Sequence, residues 1–260
     1  MIDLSVHLLP GFDDGAADEA EALEMARLAA ASGVREIVAA PDVSPEFDFD
    51  PAEAAAARAS LQEKLGERVF LHGGTRVLLK WSNIERVLEA PDRFTINGRK
   101  YLHVKLAPEM RAAGVTKVFD RFVHVGLIPI ISYSHRATAT GEARARLLRW
   151  IEIGCLIELR ASALLGWAGE GPQEAAARLI DADAAHFVAS RSRGPRRPPP
   201  TLIEAYRFIE ARWGVDCARR LLIDNPWAVL WGQEIARSAS RVRRSFSFTR
   251  MLGLRGTRRG

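Results

Sequence analysis

Short apolar runs alternate along this chain with longer stretches of helical periodicity, and that alternation limits the fold more than any other feature. Candidate strands fall at residues 2–9, 36–40, 69–73, 100–106, 128–133, 155–159 and 186–190. Candidate helices lie between them at 17–32, 51–65, 81–89, 111–125, 141–153 and 172–183. Several helical stretches open on proline or an acidic residue and close near Gly33, Gly126 or Gly154, the punctuation expected of helix ends. Repeated strand–helix units predict an α/β fold with a mostly parallel sheet, open or closed into a barrel. Residues 191–200, rich in Arg, Gly and Pro, read as a loop over one end of the sheet. Three helical patterns follow, at 202–213, at 216–222 and from Asn225 toward Gln233; Trp227 and Trp231, four apart, predict a packing face on the last.

In parallel α/β folds the chemistry collects at the carboxyl ends of the strands. Here those ends carry His7, Asp42, Arg76, Lys105, Tyr133 with His135 and Arg136, Arg160, and Arg191 with Arg193. Cations dominate that set, although the chain as a whole does not owe its net charge of +5 to them. Residues 237–260 hold eight arginines and no acid, so the remaining body is mildly acidic. The expected division is therefore a barrel domain over 1–236 and a basic, disordered tail over 237–260. With its interspersed Phe246, Phe248, Met251, Leu252 and Leu254, the tail reads either as a solvated extension or as a surface for an anionic membrane. No recognised nucleic-acid-binding fold accompanies it, and no nucleic-acid partner is expected.

Two cysteines, Cys155 and Cys217, exclude a disulfide framework and a CxxC zinc site. Cys155 is expected to be a small buried hydrophobe. No apolar run approaches the ~20 residues of a membrane span, and the first residues lack the positive start of a signal peptide, so a cytoplasmic location is expected.

The motifs then become specific. Residues 1–15, Met-Ile-Asp-Leu-Ser-Val-His-Leu-Leu-Pro-Gly-Phe-Asp-Asp-Gly, follow a pattern M-I-D-x-H-x-H-x-x-P-G-x-D-D-G at every position but Ser5. Val38-Ala39-Ala40-Pro41, Gly74-Thr75-Arg76-Val77, residues 101–107, 126–137 and 189–193, Arg197-Pro198-Pro199 and Asp224-Asn225-Pro226 continue it in collinear order. Across roughly residues 1–235 the chain resembles the PHP (polymerase and histidinol phosphatase) family, in its bacterial CpsB-type tyrosine-phosphatase branch. The resemblance implies a single-domain, distorted seven-stranded β/α barrel holding two or three metal ions, usually manganese. It further implies metal-assisted hydrolysis of phosphotyrosine on a kinase that controls capsule or exopolysaccharide assembly.

Of the eight positions where the resemblance implies metal ligands, one is retained, His7, and one carries a substitute ligand, Asp42. The others are Ser5, Arg76, Lys105, Tyr133, Arg191 and Arg193. Arginine and lysine have no lone pair to offer a metal at neutral pH, and four of them around a dication add repulsion to ligand loss. The expectation is thus a catalytically impaired relative with no metal cofactor, binding a phosphorylated or otherwise anionic ligand, such as a phosphotyrosine-bearing kinase tail, through Arg76, Lys105, Arg136, Arg191, Arg193 and Arg197. Beside it stands a plugged pocket, in which the same cations pair with Asp13, Asp14, Asp42 and Glu158 and the protein is an interaction scaffold. A third reading keeps an active phosphatase with manganese or another divalent ion on a reduced site of His7, Asp42 and His135.

Overall fold

The computed structural model describes residues 1–44, 47, 49–107, 112–132, 141–196 and 198–235, except the side chains of 141 and 144. Nine strands occur among the described residues: β1 (Ile2–Val6), β2 (Glu36–Ala39), β3 (Asp42–Val43), β4 (Phe70–Gly73), β5 (Arg76–Leu79), β6 (Tyr101–Leu106), β7 (Ile128–Ser132), β8 (Leu156–Arg160) and β9 (Phe187–Ala189). All their pairings are parallel, in one sheet ordered β1-β2-β4 and another ordered β3-β5-β6-β7-β8-β9.

The structure has nine strands among the described residues where seven were expected, because β3 and β5 lie beyond the ends of the strands expected at 36–40 and 69–73. The chain breaks at Ala40-Pro41 between β2 and β3 and at Gly74-Thr75 between β4 and β5, and in each case the later strand pairs in the other sheet. Proline has no N–H for a ladder, which accounts for the first break. At the second, a side chain on Gly74 would place its Cβ 2.7 Å from Val38 Cγ1, so the chain crosses between sheets where only glycine fits. The circuit closes between β1 and the segment after β9, where the Asp3 carboxylate accepts from Ser190 N–H (3.2 Å) and His7 N–H donates to the Ser192 carbonyl (2.9 Å).

The helices α1 (Glu19–Ala31), α2 (Pro51–Leu65), α3 (Trp81–Glu89), α4 (Ala112–His124), α5 (Gly141–Ile153), α6 (Ala161–Leu164), α7 (Glu170–Asp181), α8 (Ile203–Trp213), α9 (Val215–Arg219) and α10 (Asn225–Leu230) follow. Their starts have local causes: Asp18 caps α1 through the Glu21 N–H, and Asp50 caps α2 through Ala52 and Glu53 just ahead of Pro51. The larger core cluster packs helix faces on one side of the strands, through residues such as Ile37, Leu102, Val104, Ile157 and Val188. The smaller fills the other side with Leu4, Val38, Tyr101, Ile130, Leu156 and Phe187, covered by Val229 and Leu230 of α10.

Strand alternation then decides what stands at the carboxyl ends. The column that starts with Tyr101 continues through His103 to Lys105; the one that starts with Leu156 continues through Glu158 to Arg160. Each inner column is apolar at its start and charged at its end, so apolar floor and polar mouth come from the same period-2 pattern.

The described residues of the 191–200 segment form no helix or strand, and the Ser192 hydroxyl lies within 2.8 Å of both the Gly194 and Pro198 carbonyls. Cys155 is fully buried, as expected. The tryptophan expectation is corrected: Trp227 and Trp231 stack on each other at 5.5 Å but are 45% exposed, because α10 turns Pro226, Val229 and Leu230 inward instead. Among the described residues no helix is long and apolar enough to cross a membrane. Residues 236–260, which hold the basic tail, lie outside the described residues.

Candidate functional site: a cation cluster at the barrel mouth

The first strand delivers His7 to the carboxyl end of β1, where it is fully buried. Its Nδ1 lies 2.5 Å from Asp13 Oδ2, and the same carboxylate accepts from the backbone N–H groups of Asp42 (2.8 Å) and Gly15 (2.9 Å). Burial pushes the imidazole down to about 4, with Arg76 and Arg193 adding to the effect against the pull of Asp13. Burial alone would raise Asp13; its hydrogen bonds from His7 and the two backbone groups more than offset that and hold it ionised. His7 is therefore neutral with Nδ1–H directed at Asp13, and Nε2 carries a buried lone pair with no donor.

Asp42 is the hub of the mouth. Register pairs it with Arg76 on the neighbouring strand β5, and the guanidinium grips it bidentately, Nε to Oδ1 at 2.8 Å and Nη2 to Oδ2 at 3.2 Å. Lys105 reaches Oδ2 from β6 at 3.2 Å, and Arg193 reaches the same oxygen at 2.9 Å while its other Nη pairs with Asp14. Three cations thus converge on one buried carboxylate, which joins β3, β5, β6 and the segment after β9.

Behind this hub lies a second group. His103 Nε2 and Glu158 Oε2 are 2.8 Å apart with both side chains fully buried. Burial pushes Glu158 up, but His103, Arg191 and Arg76 outweigh it and hold the carboxyl below its ordinary range. Arg191 adopts φ +51°, a left-handed conformation uncommon outside glycine. Burial pushes it down to about 9, Arg76 and Arg160 pushing further and Glu158 and Asp42 opposing. Arg160 is lowered by burial and by Arg76, and Arg193 by burial. A guanidinium resists deprotonation, so this strain expresses itself as a demand for negative charge. The Nε atoms of Arg160 and Arg191 are both buried without an acceptor among the described residues.

The structure brings His7, Asp42, Arg76, Lys105, Arg191 and Arg193 to one mouth. Tyr133, His135, Arg136 and Arg197 lie outside the described residues. Of the carboxylates expected to neutralise the cations, Asp42 and Asp14 do so, Asp13 turns to His7, and Glu158 faces His103 with Arg191 nearby. Arg160 and the His103–Glu158 pair belong to the site although the anion-binding set read from the sequence omits them; strand parity from Lys105 and from Arg160 was the available signal. Asp3 was missed. It is fully buried beneath the mouth, and burial, against hydrogen bonds from Ser190 and Ser5, pushes it up to about 7.

A cluster of hard divalent ions does not fit these residues. Both Asp42 oxygens are held by cations, the Arg193 guanidinium bridges Asp14 and Asp42, and Arg76 stands beside His7. His7, Asp13 and Asp14 offer ligand atoms within 4.8 Å of one another, and His7 Nε2 is open, but Asp14 is engaged by Arg193 and Asp13 by His7 and two backbone N–H groups.

Comparison with known proteins agrees with this architecture. Tyrosine-protein phosphatase YwqE of Bacillus subtilis is 28% identical over 241 residues, covering 91% of this chain and 94% of that protein. A chain from the crystal structures of YwqE from Bacillus subtilis and CpsB from Streptococcus pneumoniae, described as unique metal-dependent tyrosine phosphatases, superposes with TM-score 0.82 at 26% identity, covering 92% of this chain and 98% of that one. Histidinol phosphate phosphatase from Lactococcus lactis shares the fold at TM-score 0.53 and 13% identity, over 85% of this chain and 96% of that one. The family described as capsular polysaccharide synthesis, CpsB/CapC, matches residues 1–231. This chain belongs to the CpsB/CapC family of capsular polysaccharide synthesis proteins, on a PHP-type α/β barrel.

Proposed function

We propose that the chain recognises phosphotyrosine, presented on a kinase tail, in the control of capsule or exopolysaccharide synthesis, and that fixed guanidinium groups supply the positive charge for it. The observation that carries this reading is the pair of buried Nε donors on Arg160 and Arg191, both lacking an acceptor beside Arg76. A phosphoryl group supplies several acceptor oxygens and two negative charges, which answers both needs. Lys105 and Arg193, partly exposed at the rim, give the incoming anion a cationic approach.

Calorimetry with a phosphotyrosine peptide in metal-free buffer tests it. Binding is expected, weakened about tenfold or more by Arg191→Gln or Arg160→Gln; absence of binding overturns the reading and leaves an interaction scaffold.

A second reading, phosphotyrosine hydrolysis with one divalent ion, draws on the open His7 Nε2 beside Asp13 and Asp14 and on the named activity of the relatives. Stoichiometric manganese in the purified protein, with turnover lost in His7→Ala, would establish it in place of the first.

A further inference from the structure

A cavity of about 350 Å³ lies beside β4, between α2 and the two short turns at Pro91–Arg93 and Ile96–Gly98. None of the eight metal-ligand positions lines it. Leu9, Phe49 and Ala54 form an apolar wall, and Phe49 is fixed by an edge-on contact with Phe12 (6.5 Å) and a tilted one with Phe94 (6.1 Å). Such a wall is pre-formed rather than assembled on binding.

The polar lining is sparse and specific. Arg58 lies across the Gly73 backbone, where a Cβ would stand 3.5 Å from its Nε, and spends one Nη on the Leu71 carbonyl at 3.3 Å. Arg93 stands at the exposed rim with Asp92 close by. Asn97 is committed elsewhere, to His72 and the Leu230 carbonyl. Thr95 is 3% exposed, and its buried hydroxyl has no hydrogen-bond partner. A buried hydroxyl left unpaired costs free energy that a ligand atom recovers.

We infer that this cavity is a second ligand site, for a small aromatic acid: one ring against Phe49 and Leu9, with its carboxylate between Arg58 and Thr95. The volume is at the small end of ligand-sized pockets, which suits one or two fused rings and excludes a nucleotide. Two arginines against one rim carboxylate favour a monoanion over a cation or a neutral ring.

The test is a two-dimensional amide NMR titration of the full chain with 2-naphthoate, its neutral amide and inorganic phosphate. The acid is expected to shift the amides of Phe49, Thr95 and Gly98. Arg58→Gln should weaken it about tenfold, Ala55→Trp should block the cavity from the exposed face of α2, and Arg193→Gln, in the separate mouth, should leave it unchanged. Equal binding of the neutral amide, binding undiminished in both Arg58→Gln and Ala55→Trp, or shifts confined to the mouth overturn the inference. So does the absence of any shift with the acid.

Discussion

Asp3 on β1 and His7 just past its end are two buried titratable groups, and they pull the pH dependence of stability in opposite directions. Asp3 has a folded value of about 7 against 3.8 for the free group, so between those limits the native state keeps a proton that the unfolded chain has lost. Stability contributed by Asp3 therefore falls as pH rises across that window. His7 has a folded value of about 4 against 6.5, so there the unfolded chain binds the extra proton and stability rises with pH. The two slopes offset each other up to pH 6.5. Urea denaturation should accordingly show a nearly flat profile for the native protein from pH 4 to 6.5 and a climb of up to about 1.4 kcal/mol per pH unit in Asp3→Asn. A flat profile in that variant would remove His7 as the opposing group. That His7, Asp42, Arg76, Lys105, Arg191 and Arg193 share the carboxyl ends of the strands was legible in the sequence, since strand ends are where period-2 patterns stop. Their partners were not, because the choice of Asp13 for His7 and of Asp42 for three cations is made by tertiary approach.

At the scale of elements, the clearest sequence signals were helix boundaries with chemical causes. The sequence reading places α2, α3 and α5 at the bounds the structure gives, and for α2 the reason is visible in Asp50, Pro51 and Gly66. Two-residue β3 escaped notice because Asp42–Val43 is too short to show any period, and β5 because Arg76 at its head breaks the apolar pattern. The break between β4 and β5 depends on Gly74. Gly74→Ala puts a methyl 2.7 Å from Val38 Cγ1, and the expected cost is about 1–3 kcal/mol, read from the denaturation midpoint. No change in the midpoint would mean that the crossing between sheets has more room than the geometry gives it.

For the whole molecule, packing holds the last described residues to the barrel. Ile235 is buried, and the Tyr101 hydroxyl donates to the Gln233 carbonyl, tying the end of α10 to the inner face of β6. We propose that residues 237–260 form an independent basic tail, so truncation after residue 236 should leave the melting temperature within a few degrees (roughly) of the full chain's. Truncation after residue 230 removes Ile235 and the acceptor for Tyr101 and should lower it markedly. The first deletion also takes away eight arginines, so co-sedimentation with anionic vesicles measures whether the tail is a membrane surface.

The convergence of Arg76, Lys105 and Arg193 on Asp42 also bears on how such a mouth changes over time. Reverting any one cation to a histidine or carboxylate breaks a salt bridge while two positive neighbours still repel a dication. Such a single change gains no metal binding to offset the lost salt bridge, so a metal centre at this carboxylate would need several of the three cations replaced together.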